Sequence, residues 1–84
     1  MKYRKKPIVV EAHQLTKHSL MEICRWMNSK CNWVEVGNHF NLQIPTLAGE
    51  LNASFGDYIV KGIKGDFYPV KEDIFNETYE EIEE

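Results

Sequence analysis

The chain carries the stretch GDYIVKGIKGDFYPV at residues 56–70. Residues 58–61 and 67–70 have the β-branched and aromatic composition of short strands, and the glycine-containing segment between them is typical of a turn. The stretch therefore predicts a β-hairpin. It also permits a functional interpretation, because Lys61 and Lys64 lie beside glycine backbone and near aromatic side chains, which suits a flat, negatively charged ligand.

The second strand of this hairpin places two aromatic residues next to each other. Side chains alternate between the faces of a strand, so only one of Phe67 and Tyr68 can join the core. The other is expected to be exposed or to contact a partner. A hairpin whose glycines only turn the chain explains the stretch equally well.

Residues 7–15 alternate in a way that suits a strand with one buried face, with Ile8, Val10 and Ala12 on the same side. The basic run at residues 3–6 comes directly before this strand. Such a run is most often a solvated terminus.

A helix is predicted to begin at Ser19, which is a good N-cap, and Glu22 completes a capping box three residues later. Its apolar stripe consists of Leu20, Ile23, Cys24 and Met27. This spacing predicts a helix that packs on a sheet. Trp26 lies on the flank of the stripe, a position that more often serves the edge of the core than a ligand. Residues 28–30 are expected to end the helix.

Three more strands are predicted between the helix and the hairpin at residues 56–70. Residues 32–36 and 39–44 form a hairpin around the turn signal Gly37-Asn38, residues 45–49 break the pattern, and residues 50–55 alternate again. We expect the inward side of the second strand to carry Phe40, Leu42 and Ile44.

The C-terminal part shows weaker signals. Residues 71–75 suggest one helical turn, and residues 76–82 a last strand or an extended tail. Together the segments predict an α+β fold in which one helix packs on a curled, mostly antiparallel sheet of about six short strands. The whole chain, residues 1–84, is expected to form a single small domain with an acidic tail from about residue 80.

The small size and uneven charge of the chain limit its partners. A chain of 84 residues buries only somewhat more than about 60% of its unfolded surface, so its stability alone is marginal and an oligomer would be unsurprising. The net charge is −3, yet the first six residues carry +4, while residues 71–84 carry one lysine against seven carboxylates. This balance disfavours binding to duplex nucleic acid, which needs a broad basic face. A small anionic ligand held by a few cations is compatible with it.

The cysteines and the hydropathy pattern favour a cytosolic protein. Cys24 and Cys31 form neither a CxxC motif nor a disulfide framework, so we expect both to be reduced, with Cys24 in the core. No apolar run follows the N-terminal lysines as in a signal peptide. No segment approaches the roughly 20 apolar residues of a membrane span.

The sequence offers no catalytic or metal-binding pattern. His13, His18 and His39 follow no repeating interval and lack the additional ligands of a zinc site. No serine lies in a nucleophile elbow, and no cysteine has a suggestive histidine context. Paired carboxylates occur only in the acidic tail, where solvent leaves them ordinary acids. We therefore expect no enzyme, no metal and no cofactor.

Six short sequence segments of the chain together resemble those of a widespread group of small phage and prophage proteins. They are YRKKPIVVEA at 3–12, IPTL at 44–47, GDYIVKG at 56–62, DFYP at 66–69, DIF at 73–75 and TYE at 78–80. Three positions depart from the group's usual pattern: Phe55 and Glu72 stand where proline is common, and Val70 where cysteine is common. These departures alter turn stiffness more than chemistry.

The group is similar to phage anti-CBASS sponge proteins, which sequester cyclic dinucleotide immune signals without cleaving them. The resemblance implies a homo-oligomer in the cytoplasm of the infected bacterial host. It implies a ligand with two bases and two phosphates, enclosed between subunits. An interaction module that binds a protein through the exposed hairpin edge, or an accessory phage protein with no ligand, are the alternatives.

Candidate binding residues follow from this ligand chemistry. An aromatic ring, Tyr68 or Trp26, is expected to stack on a base. A guanidinium or ammonium group is expected to contact phosphate, and a hydroxyl to read a base edge. The complete candidate set is Arg4, Trp26, Thr46, Lys61, Lys64 and Tyr68.

Overall fold

A computed structural model of the chain describes residues 1–4, 6–28, 32–46 and 48–82. In chain order its elements are β1 (Glu11–Gln14), α1 (Leu20–Trp26), β2 (Asn32–Val36), β3 (His39–Thr46), β4 (Gly49–Ala53), β5 (Tyr58–Lys61), β6 (Phe67–Val70) and α2 (Glu72–Thr78). The predicted α+β class is therefore confirmed. Within the described ranges, neither helix is long and apolar enough to cross a membrane.

The strands form two antiparallel three-stranded sheets, in the orders β1-β5-β6 and β2-β3-β4. The prediction of one curled sheet with one helix is wrong in both details. The meander β2 to β4 is built from neighbouring segments, whereas β5 returns to pair with β1, so that Glu11 lies opposite Lys61. Local alternation predicts which face of a strand is buried but not which distant strand becomes its neighbour.

The hairpin at residues 56–70 is confirmed, with Lys61 opposite Phe67. Its turn is closed by two backbone hydrogen bonds. The Gly62 N–H donates to the Asp66 carbonyl at 2.7 Å, and the Gly65 N–H donates to the Gly62 carbonyl at 3.0 Å. Gly65 has a φ of 81°, a conformation that glycine adopts at little cost.

The core lies where the two sheets and α1 meet, and it consists of Leu15, Ile23, Cys24, Met27, Leu42, Ile44, Ala53 and Ile59. The predicted stripe of α1 is confirmed, since Ile23, Cys24 and Met27 are buried and Leu20 packs against them. The predicted inward side of β3 is confirmed as well. Leu42 and Ile44 are fully buried, and Phe40 packs against the core.

The N-terminal strand is shorter than the alternation predicts. β1 begins at Glu11, and in the segment before it Ile8 is 47% exposed and Val9 is 77% exposed. The reason is that β5 ends at Lys61, opposite Glu11, and the chain then turns away into the hairpin. Residues 7–10 consequently extend past the end of their neighbouring strand. We call residues 1–10 the N-terminal arm.

The start of α1 also differs from its prediction. Ser19 is the N-cap residue but makes no side-chain capping hydrogen bond, so the capping box is wrong. Its hydroxyl instead donates to the Gln14 carbonyl at 2.7 Å and accepts from the Thr16 N–H at 2.9 Å. These bonds close the loop between β1 and α1, and they compete with the cap for the same oxygen.

The C-terminal segment is helical where a last strand was predicted. α2 continues to Thr78, and the residue that follows it, Tyr79, has an extended backbone conformation. Phe75 and Tyr79 are four residues apart, which brings them together on one face of a helix, and their rings stack at a centroid distance of 4.8 Å. The predicted break at residues 45–49 is likewise shorter, because β3 runs through Thr46 and β4 begins at Gly49.

Cys24 is buried as predicted, but its predicted redox state is wrong because it is disulfide-bonded. Cys31 lies outside the described residues. Spacing in the sequence does not show whether two cysteine side chains lie close enough in the fold to form a disulfide bond. Disulfides are uncommon in a reducing cytosol, so this finding does not support the cytosolic expectation.

Candidate functional site

A cavity of about 410 Å³ lies beside the tip of the β5-β6 hairpin. This volume falls within the range of small-molecule sites, roughly 300 to 1,000 Å³. We call it the hairpin cavity. Its charged and phenolic groups come from Lys6, Lys64, Asp66, Tyr68 and Tyr79, and its apolar wall includes Ile8, Val10 and Ile63.

The cavity lies on the face of the β1-β5-β6 sheet opposite to the core. Phe67 packs against the core, and strand alternation turns the next residue, Tyr68, to the other face. Tyr68 pairs with Val60, which pairs with Ala12. The same alternation carries this face along the N-terminal arm to Val10 and Ile8. The prediction that only one hairpin aromatic joins the core is therefore confirmed.

Three separate segments supply the polar groups. The hairpin turn provides Lys64 and Asp66, and the N-terminal arm provides Lys6. Tyr79 is the C-cap residue of α2. The turn is fixed by its two backbone hydrogen bonds, which sets the spacing of its two charged side chains. The cavity therefore forms only when both ends of the chain reach the hairpin.

α2 is held on this face by rings and polar contacts. Phe75 stacks on Tyr58 of β5 at a centroid distance of 3.9 Å, with the ring planes 7° apart. Gln14 donates a hydrogen bond to the Glu72 carboxylate. Lys71, the N-cap residue, forms an ion pair with Asp57 at 3.3 Å. These contacts place the end of α2, with Tyr79, against the hairpin.

The hydroxyls of Tyr68 and Tyr79 share a hydrogen bond. This bond is the largest cause of a rise in the pKa of Tyr68 from 10.0 to about 12, and burial and the negative charge of Asp66 contribute to the same rise. The Tyr68 phenol is therefore neutral at physiological pH. A neutral phenol can donate a hydrogen bond to an anion.

Replacing Tyr79 with phenylalanine is expected to lower the pKa of Tyr68 towards 10, because the ring remains while the hydrogen bond is lost. Absorbance titration of the phenolate between pH 9 and 13 measures this, with Tyr3→Phe as the control because Tyr3 is 87% exposed. A folded-state pKa above the unfolded value stabilises the protein below about pH 10, and this stability is lost as the pH rises from 10 through 12. An unchanged Tyr68 titration in Tyr79→Phe would contradict the assignment.

Of the six predicted site residues, the structure brings Lys64 and Tyr68 together in the hairpin cavity. Lys61 is half-buried and lies opposite Glu11 and Phe67, on the face turned away from Tyr68. Arg4 is exposed on the N-terminal arm and is not among the residues that line the cavity.

Trp26 and Thr46 make structural contacts elsewhere. The Trp26 indole donates to the Glu11 carboxylate at 3.2 Å and meets Phe67 edge-on at 5.0 Å, which places it at the edge of the core. The Thr46 hydroxyl donates to the Gly49 carbonyl at 2.6 Å and accepts from the Ala48 N–H at 3.2 Å. These bonds belong to the turn between β3 and β4.

Of the five charged and phenolic residues of the cavity, sequence reasoning did not select Lys6, Asp66 and Tyr79. Lys6 has the same strand parity as Ile8 and Val10, which was a usable signal for its face. Tyr79 carried no signal that pointed to the hairpin, because its position depends on α2. Across the described ranges, no group of three or more His, Cys, Asp or Glu side chains is arranged to hold a metal ion.

Comparisons of the chain with protein-family models, curated proteins and solved structures gave no match.

Proposed function

We propose that the chain binds a cyclic dinucleotide in the hairpin cavity and sequesters it without cleaving it. The observation that carries this proposal is that two ammonium groups, Lys6 and Lys64, and two phenols, Tyr68 and Tyr79, converge on one cavity. This combination suits a ligand that has both phosphate and a flat base. The homo-oligomeric state and the cytoplasm of an infected bacterium as its location are parts of the same proposal.

The two lysines are suited to the phosphates. Lys6 and Lys64 come from different segments, so their charges approach the cavity from two sides. An ammonium group acts as a compact point charge with three donors, which fits a phosphate oxygen without fixing its orientation. Because Lys64 is exposed, its attraction for phosphate is expected to weaken with added salt.

The phenols and the apolar wall are suited to a base. Stacking of a base on an aromatic ring contributes about 1 to 3 kcal/mol. Ile8, Val10 and Ile63 offer an apolar surface for the remainder of the base. Ile63 is 71% exposed in the isolated chain, so a ligand that covers it would also remove apolar surface from water.

The size of the cavity supports a shared site. A volume of about 410 Å³ lies near the lower end of the range for ligand pockets. We propose that a cavity of this size encloses only part of a cyclic dinucleotide, which has two bases and two phosphates. A second subunit would enclose the rest.

Isothermal titration with a panel of cyclic di- and trinucleotides tests the proposal. We expect at least one cyclic dinucleotide to bind, and chromatography of the recovered ligand to show it intact. Degradation of the ligand would mean that the protein is an enzyme. The absence of binding across the whole panel would contradict the proposal.

One observation favours an interaction module as the second candidate. β2 pairs only with β3 among the described strands, and on it Trp33 is 49% exposed and Val34 is 37% exposed. An open strand edge of this kind accepts an added strand from a partner. A nucleotide panel without binding, together with a protein partner whose binding is lost on Val34→Pro, would support this candidate.

A further inference from the structure

The hairpin cavity contains a carboxylate that the binding of phosphate does not explain. Asp66 lines the cavity together with Lys6 and Lys64, and its negative charge raises the pKa of Tyr68. The one ion pair within the described ranges joins Lys71 to Asp57, and no described donor gives the Asp66 side chain a hydrogen bond. Both carboxylate oxygens of Asp66 are therefore available as acceptors.

The position of this carboxylate depends on a glycine. Gly37, Gly49, Gly56 and Gly65 all have positive φ values, whereas Gly62 does not. A Cβ atom at Gly62 would lie 2.5 Å from Oδ1 of Asp66, closer than two such atoms can approach. The backbone conformation therefore permits a side chain at residue 62, but such a side chain would displace the Asp66 carboxylate from its position.

A carboxylate weakens a site that binds phosphate alone, because it repels the phosphate. It becomes favourable when the same ligand also presents hydrogen-bond donors to it. Guanine does so, since its Watson–Crick edge carries two adjacent donors, the N1–H and the exocyclic amine. Adenine presents an acceptor, its N1 nitrogen, beside its own amine, and this acceptor would face an acceptor-only carboxylate.

We propose, as an extension of the cyclic dinucleotide proposal, that Asp66 selects guanine by accepting hydrogen bonds from N1–H and the N2 amine. Gly62 is the positioning residue that leaves room for this carboxylate. Selection is both positive and negative, because the same two oxygens pair with guanine and reject adenine.

Isothermal titration with cyclic di-GMP, cyclic di-AMP and cyclic di-IMP tests this inference. We expect cyclic di-GMP to bind about 100-fold more tightly than cyclic di-AMP. A site whose acceptors bind N–H donors of the ligand rejects an analogue that lacks those donors. Cyclic di-IMP keeps N1–H but lacks the amine, so its affinity should lie between the two. Asp66→Asn should reduce the preference for guanine about 10-fold or more, whereas Asp73→Asn, on the exposed surface of α2, should leave it unchanged.

Gly62→Ala provides an independent test, because its methyl group must displace the Asp66 carboxylate. We expect the guanine preference to fall while the melting temperature changes little. Equal affinity of the wild-type protein for cyclic di-GMP and cyclic di-AMP would overturn the guanine inference and leave the proposed function standing. Absence of binding to all three would overturn both.

Discussion

Lys64→Ala is expected to weaken cyclic dinucleotide binding by about 10- to 100-fold and to leave the melting temperature nearly unchanged. A hydrogen bond that involves a charged group contributes about 1.5 to 3 kcal/mol, which corresponds to this range of affinity. Lys64 is exposed and makes no ion pair within the described ranges, so its removal costs the free protein little. Calorimetric titration and thermal unfolding of the same samples measure both quantities.

Lys61→Ala is the matched control, because Lys61 is a lysine of the same hairpin on the opposite face of the sheet. Its effect on affinity should be clearly smaller than that of Lys64→Ala. Arg4→Ala adds a second comparison, since Arg4 lies outside the cavity. Equal losses of affinity for Lys61→Ala and Lys64→Ala would show that the ligand binds elsewhere. A large loss of stability in Lys64→Ala would give that lysine a structural role.

Asp57→Ala is expected to destabilise the fold by about 2 to 3 kcal/mol. Asp57 is 6% exposed, and its carboxylate accepts from the Ser54 N–H at 3.0 Å and from the Lys71 ammonium at 3.3 Å. It fastens the turn between β4 and β5, where Gly56 has a φ of 100°. Removing the carboxylate leaves the Ser54 N–H without its partner and releases the start of α2.

For a domain of this size the expected decrease in melting temperature is roughly 10 to 20 °C. Lys71→Ala separates the two contributions, because the Lys71 side chain is 64% exposed and an exposed ion pair contributes at most about 1 kcal/mol. Asp57→Asn should fall between the two, since its amide oxygen can still accept from Ser54. A similar loss in Asp57→Ala and Lys71→Ala would mean that the ion pair, and not the turn, is the main contribution.

The hairpin and the helix stripe could be predicted from the sequence because their signals are local. The β5-β6 hairpin combines strand composition with a glycine turn inside 15 residues. The stripe of α1 follows from helical spacing alone. Ser19 shows where local reasoning ends, because its hydroxyl could cap α1 or bond the loop before it, both within five residues, and in the structure it bonds the loop.

The division into two sheets could not be predicted, because the pairing of Glu11 with Lys61 joins residues 50 positions apart. The candidate site shows the same limit. Lys64 and Tyr68 belong to the hairpin at residues 56–70 and could be selected from the sequence pattern. Tyr79 reaches the cavity only through α2, whose place depends on the stack of Phe75 on Tyr58.

α2 has no buried residue, although it provides one wall of the hairpin cavity. An element attached by ring stacking and surface polar contacts opens locally at a lower free energy than the whole domain needs to unfold. The wall that carries Tyr79 therefore detaches more often than the core strands separate. If the proposed ligand binds in the hairpin cavity, we expect this partial opening to limit its lifetime, so that a contact that fastens α2, such as the ion pair of Lys71 with Asp57, would slow its release without touching it.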